Sequence, residues 1–371
     1  MARPMPNIYE GYLLDMSYRI LERLPSIART SGHVSIIQSN GHGAWQSAIS
    51  NTLVPGDKVL ALESGRFAII WAEYAAMAGV DTEVLPGDAR SAVDVAALQA
   101  RLEADVDGDI TAILTVQTDT ATSVRNDIPA IRAAIDAAGH DALLMVDCIA
   151  SMGCERFEMD NWGVDITVAA SQKGLMCPPG LGFVWVSEKA FEMHPRVTHR
   201  VGYVDWARRL EPKAYYEIFA GTPPVPNLHA LDEALSMIEE EGGLDAVWAR
   251  HEALANGVRA AVEAWSTPDG IGFNITDPAH RSNAVTTIDT GEIDAVRLRG
   301  ICEAQAGVTL GVALIGDRER SFRIGHMGYL NPPMILGTLA TIEAALTALA
   351  APMGGSGVAA AAESIGAALR G

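Results

Sequence analysis

Apolar residues Leu13, Ile20, Leu21, Leu24 and Ile27 recur at helical spacing between about positions 10 and 29. They predict an amphipathic helix that Pro25 kinks or splits and that Ser31-Gly32 ends. The pattern then changes character repeatedly. Short apolar runs at 34–37, 58–62, 82–85, 110–116 and 142–146 read as strands, with helices opening at Gly43, at Phe67, near Val93 and at Ile128. Two further strands follow at 166–169 and 183–186. Strand and helix in regular exchange imply an α/β fold with a mostly parallel sheet covered on both faces. In such sheets ligands bind at the carboxyl ends of the strands.

Beyond about residue 240 the texture shifts to a long helix at 244–265, a strand at 284–288, a helix at 293–305, a strand at 322–324 and a helix at 334–349. This reads as a smaller α+β unit, followed by a Gly-rich and then Ala-rich tail that predicts a terminal helix. The expected organisation is an N-terminal helical arm (1–30), a large α/β domain (31–240) and a small C-terminal α+β domain (241–371).

Composition narrows the function classes. The 371 residues carry a formal charge of -19, which would repel nucleic acid and anionic membrane surfaces but leaves room for a small anion in a local positive pocket. No apolar run reaches the roughly 18 to 20 residues of a membrane span, and no charged-then-apolar leader precedes the first helix. Cys148, Cys154, Cys177 and Cys302 lack the spacing of a metal site and are too few for a disulfide framework. The expectation is a cytoplasmic protein with reduced thiols and no metal.

Only four lysines occur in the chain. Lys58 after a turn, Lys189 in a polar helix start and Lys213 among Glu211, Pro212 and Tyr215 sit in ordinary surface settings, whereas Lys173 has small or apolar neighbours in Ala169-Ala170-Ser171-Gln172-Lys173-Gly174, just after a β-branched strand. Burial disfavours the charged amine, and a neutral amine can attack a carbonyl; a lysine that merely caps a strand end is the alternative. Asp147 closes the apolar strand Leu143-Leu144-Met145-Val146. A carboxylate there needs a cationic partner, such as a protonated pyridine nitrogen, unless it caps the next turn. Ser39-Asn40-Gly41-His42-Gly43 joins a strand to a helix N-terminus, a setting that suits an anion as well as an ordinary short loop. It does not match the dinucleotide fingerprint, which needs a third spaced glycine and a later acidic residue. Phe67, after Ser64-Gly65-Arg66, is placed to cover a planar ligand or to pack in the core. The Thr118 to Thr122 loop brings hydroxyls to the same sheet edge, and Arg323, inside an apolar strand, suits a carboxylate ligand or a structural salt bridge.

Taken in order, several motifs resemble the class V aminotransferase family, with the aspartate-aminotransferase fold, and most closely its serine-, alanine- and aspartate-glyoxylate branch. They are Asn51-Thr52-Leu53, Pro55-Gly56-Asp57, Val146-Asp147-Cys148-Ile149-Ala150-Ser151, Trp162-Gly163-Val164-Asp165, Ser171-Gln172-Lys173-Gly174, Pro178-Pro179-Gly180-Leu181, Thr222-Pro223-Pro224 and Arg323-Ile324-Gly325-His326-Met327-Gly328. The resemblance implies fold type I with a seven-stranded-type sheet, pyridoxal 5'-phosphate as cofactor, and a homodimer. Lys173 would carry the cofactor as a Schiff base and then shuttle the substrate proton. Asp147 would hold the pyridine nitrogen protonated, with Phe67 on one ring face and Ile149 on the other. Asn40, Gly41, His42 and Gln172 would hold the phosphate, helped by Thr222 from the partner subunit. Thr120 would bond the phenolic side of the ring, and Arg323 the substrate carboxylate.

The resemblance further implies ping-pong transfer of an amino group from serine, alanine or aspartate to a 2-oxo acid, glyoxylate above all. A pyridoxamine-pyruvate type aminotransferase and a cofactor-binding relative without turnover are the alternatives; a cysteine desulfurase would need a mobile-loop cysteine, and Cys302 falls in a predicted helix. The chain departs from the family pattern at Phe219, where Tyr is frequent, at Gln117-Thr118-Asp119, where His-Asn-Glu is common, and at Ser123, where Gly is usual. The family usually opens with a Gly-Pro-Thr segment that lines the active site, and this sequence is expected to begin beyond it, so that either its start is truncated or that wall is missing.

Overall fold

Strands rich in Ile, Val and Leu persist here because both of their faces find a layer to pack against. The computed structural model describes residues 4–198, 200–268 and 270–370. The chain forms β1 (His33–Ile37), β2 (Lys58–Leu62), β3 (Asp81–Leu85) and β4 (Ile110–Val116), then a short ribbon, β5 (Thr118–Asp119) and β6 (Val124–Arg125), then β7 (Leu143–Asp147), β8 (Ile166–Ala170) and β9 (Gly182–Val186). Apart from the ribbon these strands make one seven-stranded sheet in the order β1-β9-β8-β7-β4-β2-β3. Neighbours from β8 through β3 pair parallel, and only β9 runs antiparallel to its neighbours β8 and β1.

Helices α1 (Tyr12–Ala28), α2 (Gly41–Thr52), α3 (Phe67–Met77), α4 (Val95–Glu103) and α5 (Ile128–Ala137) cover the sheet, with α6 (Glu188–Phe191), α7 (Trp206–Leu210) and α8 (Val225–Glu240) following it. Alternation along β7 shows how the layers divide. Leu144 and Val146 join a core with α1, α4, α5 and α8, whereas Leu143 and Met145 join a second core with α2 and α3. Asp147 shares the parity of Leu143 and Met145, so its side chain is committed to the α2–α3 side.

The rest of the chain forms α9 (Leu244–Trp265), β10 (Gly272–Phe273), β11 (Val285–Asp289), α10 (Ala295–Ala306), β12 (Gly311–Val312), β13 (Ser321–Gly325), α11 (Pro332–Ala348) and α12 (Gly357–Ala368). An antiparallel sheet in the order β10-β11-β13-β12 packs on α9 and α11 around Val258, Trp265, Phe322, Leu339 and Ile342. The Ala-rich tail forms α12, and Gly257 on α9 lets the two helices close, because a Cβ there would stand 2.8 Å from Ile365.

One expectation fails. Pro25 does not split α1, which runs unbroken to Ala28 and ends in a left-handed Arg29 at φ 53°. Pro25 lies in the last turn, and the continuous buried stripe Leu13, Met16, Ile20, Leu24 and Ile27 outweighs one missing N–H. The short elements β5, β6, β10, β12, α6 and α7 gave no periodic signal, and α8 also went unpredicted. Cys148, Cys154, Cys177 and Cys302 are free and buried. Among the described residues no helix is long and apolar enough to cross a membrane.

Two buried histidines pin the C-terminal sheet to its surroundings. His326 turns Nδ1 to the Asn283 carbonyl at 2.9 Å, so that nitrogen carries the proton and Nε2 accepts from Thr286 Oγ1 at 2.8 Å. His251 likewise donates from Nδ1 to Val247 O at 2.8 Å and accepts the Gly328 N–H at 3.1 Å. Burial pushes His326 down to about 3 and His251 down to about 4; Arg259 also faces His326, and Arg250 and Glu241 face His251. Both folded values lie below the unfolded one, so this stabilisation is complete above about pH 6.5 and is lost as pH falls toward the folded values. At pH 5 the loss is about 2 kcal/mol per histidine. Urea unfolding at pH 7 and pH 5 should therefore show a His326→Asn variant losing roughly that much less than the parent over the same interval; equal losses would rule the account out.

Candidate active site

The carboxyl ends of β4, β7 and β8 meet the N-termini of α2 and α3 around a cavity of about 230 Å³. Asp147, the last residue of β7, is 2 % exposed. Its carboxylate accepts the Trp45 indole N–H at 2.9 Å and the Ile149 N–H at 2.6 Å. Burial pushes its proton affinity up to about 7, against the pull of those two donors. Among the described residues no cation bonds it. A carboxylate held at this depth at neutral pH is short of one positive partner.

Lys173 lies in the turn three residues beyond β8 and lines the same cavity. Burial, then the nearby Arg323 guanidinium, lowers its amine pKa, and Asp147 and Cys154 draw it the other way. The turn is packed without slack. A Cβ on Gly174 would stand 2.1 Å from the Met152 carbonyl, and Gly328 approaches the Lys173 carbonyl closely enough that its Cβ would sit at 3.4 Å. The other lysines stand elsewhere: Lys58 pairs with Asp109 at 3.5 Å, Lys189 donates to Asp141 O at 3.0 Å, and Lys213 is exposed.

At the opposite wall α2 begins. Asn40 caps it by accepting the His42 N–H at 3.0 Å, leaving the helix dipole pointed at the cavity. Gly41 is backed by Ile149, whose Cδ1 a Cβ would meet at 2.2 Å, so the backbone itself forms the wall. The His42 ring packs against Trp45 and Tyr74 at 4.5 and 5.7 Å, and burial lowers its pKa. Gln172 also lines the cavity, and its Oε1 is buried with no hydrogen-bond partner among the described residues. Phe67, Thr120 and Ile149 complete the walls. An anion would suit the α2 N-terminus and a cation the Asp147 carboxylate, while Gln172 Oε1 calls for a hydrogen-bond donor.

Two predicted residues stand outside this lining. Arg323, on β13, donates from Nε to Val312 O at 2.7 Å and from NH1 to Thr120 O at 2.6 Å, and forms no ion pair among the described residues. The β11–β13–β12 pairing therefore delivers a guanidinium tied to the cavity loop beside Lys173, with charge to spare. Thr222 is exposed, and its carbonyl accepts the Gln38 amide at 2.6 Å.

Sequence reading missed Trp45, whose signal was its place one helical turn after Gly41, and also Val116 and Ala150 in the lining; Thr118, from the hydroxyl-bearing loop it did single out, lines the cavity too. Ser123 holds φ at 69°, which explains why glycine is at home there, and its hydroxyl reaches Thr287 Oγ1 at 2.5 Å across to β11. Phe219 is buried against Tyr215 in its own chain's core.

Comparison with known proteins follows the same lines. Residues 34–315 match the family Aminotransferase class-V. The chain is 39% identical over 325 residues to the serine–glyoxylate aminotransferase of Methylorubrum extorquens, covering 85% of this chain and 79% of that one. It is 37% identical over 362 residues to the L-aspartate–glyoxylate aminotransferase of Paracoccus denitrificans, covering 94% and 87%. Among solved structures it superposes on the pyridoxamine-pyruvate aminotransferase of Mesorhizobium loti with a TM-score of 0.86 at 26% identity, covering 98% and 92%. With a family match across most of its length and relatives well above 30% identity, the chain belongs to the class-V aminotransferases and is a transaminase.

Proposed function

We propose that this aminotransferase uses pyridoxal 5'-phosphate to move an amino group from serine, alanine or aspartate to glyoxylate. The observation that carries the reading is a buried carboxylate without a cation, Asp147, facing the cavity it shares with Lys173. The cofactor's chemistry is that of an electron sink, which stabilises the negative charge left when the substrate's α-proton departs. Asp147 would take the protonated ring nitrogen, and the new positive charge would bring its own pKa back down. Asn40, Gly41, His42 and Gln172 would hold the phosphate at the α2 N-terminus, and Thr120 the phenolic side, with Phe67 and Ile149 on the two ring faces. Lys173 Nζ, whose hold on a proton burial weakens, would take the substrate's α-proton and return it at the cofactor carbon. Arg323 would hold the substrate carboxylate.

The names of the relatives support the acceptor, since glyoxylate recurs in them while the donor changes. The likeness to the pyridoxamine-pyruvate enzyme supports free pyridoxamine as a second substrate reading; the anion-ready α2 terminus favours the phosphorylated cofactor. Because Thr222 is exposed and stands outside its own chain's cavity, a homodimer in which it completes the partner's phosphate site is part of the proposal.

Pyridoxal phosphate added to the purified protein should give a visible absorbance band that serine, alanine or aspartate bleaches and glyoxylate restores. Lys173→Ala should lack that band. A wild-type protein without it refutes the cofactor assignment, and formation of pyridoxal and alanine from free pyridoxamine and pyruvate would select the second reading. Trp45→Phe removes one donor from Asp147 and should cost about 1–2 kcal/mol of apoprotein stability at pH 8.5. The cost should be smaller at pH 6, where the native carboxyl is protonated, and denaturation at the two pH values measures the difference. Light scattering should give twice 39.3 kDa, and Thr222→Ala should weaken pyridoxal phosphate about tenfold or more; a monomer with unaltered cofactor affinity would exclude the shared site.

A further inference from the structure

Asp119 is fully buried beside the cavity, and its carboxylate faces backbone N–H groups. One oxygen accepts the Phe67 N–H at 2.8 Å, the other the Ala121 N–H at 2.8 Å, and the N–H groups of Arg66 and Thr122 also face it. Phe67 is the first residue of α3, whose N-terminus has no cap from its own Arg66. Asp119 thus supplies from a distant loop the acceptor that a neighbouring Ser, Thr, Asn or Asp would ordinarily supply. Its negative charge also complements the helix dipole.

The fit is close. A Cβ on Gly65 would stand 2.4 Å from the Asp119 carboxyl carbon and 2.6 and 2.7 Å from its oxygens, so glycine is needed for the carboxylate to reach the α3 terminus. Through its second oxygen Asp119 also turns its own loop at Ala121, next to Thr120 in the cavity wall. Both oxygens meet donors only, an arrangement that suits the ionised carboxylate.

We infer that Asp119 is a positioning residue: its carboxylate bonds the N–H of Phe67 across the sheet edge and so fixes the aromatic ring, together with the Thr120 turn, against the cavity where the cofactor would lie. The inference rests on the cofactor reading above. It assigns Asp119 no contact with substrate or cofactor. Without its bond α3 keeps its buried residues Ala68, Trp71, Ala72 and Ala75, but the ring at its first turn is no longer held.

The test compares the apoproteins of wild type, Asp119→Asn, Gly65→Ala, Phe67→Leu and the Asp119→Asn/Phe67→Leu double variant. Pyridoxal phosphate affinity is read from quenching of tryptophan fluorescence, and thermal unfolding of each apoprotein is followed alongside. Asp119→Asn should weaken pyridoxal phosphate at least fivefold. Gly65→Ala, which displaces the carboxylate and keeps its charge, should do the same and covers the case in which Asp119→Asn fails to fold. In the Phe67→Leu background the effect of Asp119→Asn should fall below half, because the two act through one ring. Unchanged affinity in both Asp119→Asn and Gly65→Ala overturns the inference, as does a double variant whose losses simply multiply. Wild-type protein that binds no pyridoxal phosphate overturns the inference and the cofactor reading together, whereas binding by wild type with unaltered variants sinks the inference alone.

Discussion

A carboxylate buried at the end of a strand is the constraint around which this molecule is arranged. Removing Asp147 from water is costly, and the structure offsets the cost only in part, with one indole N–H and one backbone N–H. Those donors come from separate places, Trp45 on α2 and Ile149 in the turn after β7. Satisfying Asp147 therefore fixes how α2 sits over the sheet. The same placement points the α2 N-terminus, with its Asn40 cap and bare Gly41 backbone, into the cavity. What remains unpaired, among the described residues, is one negative charge. A protein that holds a carboxylate short of a cation is prepared to bind one.

Opposite Asp147 the turn of Lys173 is held both by hydrogen bonds, Met176 N–H to the Lys173 carbonyl at 3.0 Å and Cys177 N–H to the Ser171 carbonyl at 2.9 Å, and by close backbone packing. Gly174 leaves no room for a side chain against Met152, and Gly328 of the C-terminal part approaches the Lys173 carbonyl. The Gly328 N–H is in turn bound to His251 of α9. The lysine's surroundings are consequently shared between the large sheet and the segment that carries Arg323, itself tied to the Thr120 carbonyl. Relative motion of the two parts would alter the lysine, the arginine and the Thr120 loop together.

The class-V aminotransferase architecture thus separates two tasks. The parallel sheet and the helices on its α2–α3 face place the groups that would grip and polarise a cofactor. The antiparallel sheet brings in the group that would recognise a carboxylate.

Much of this was legible in the chain. The strands at 58–62 and 110–116 and the helix at 244–265 appear with the expected bounds, because long apolar runs and long amphipathic periods bury enough surface to override local competition. Lys173 and Asp147 could be singled out because a charged residue amid apolar neighbours is physically expensive wherever it occurs. Pro25 misled, since local propensity yields when a whole helical face is buried. Only the tertiary structure decided that Trp45 meets Asp147 and that Asp119 caps a helix 52 residues away. It alone decided, too, that Arg323 reaches the Thr120 loop rather than an acidic partner. Such pairings depend on strand order and on which parity faces which layer, and periodicity along one dimension encodes the parity of each strand but not its neighbours.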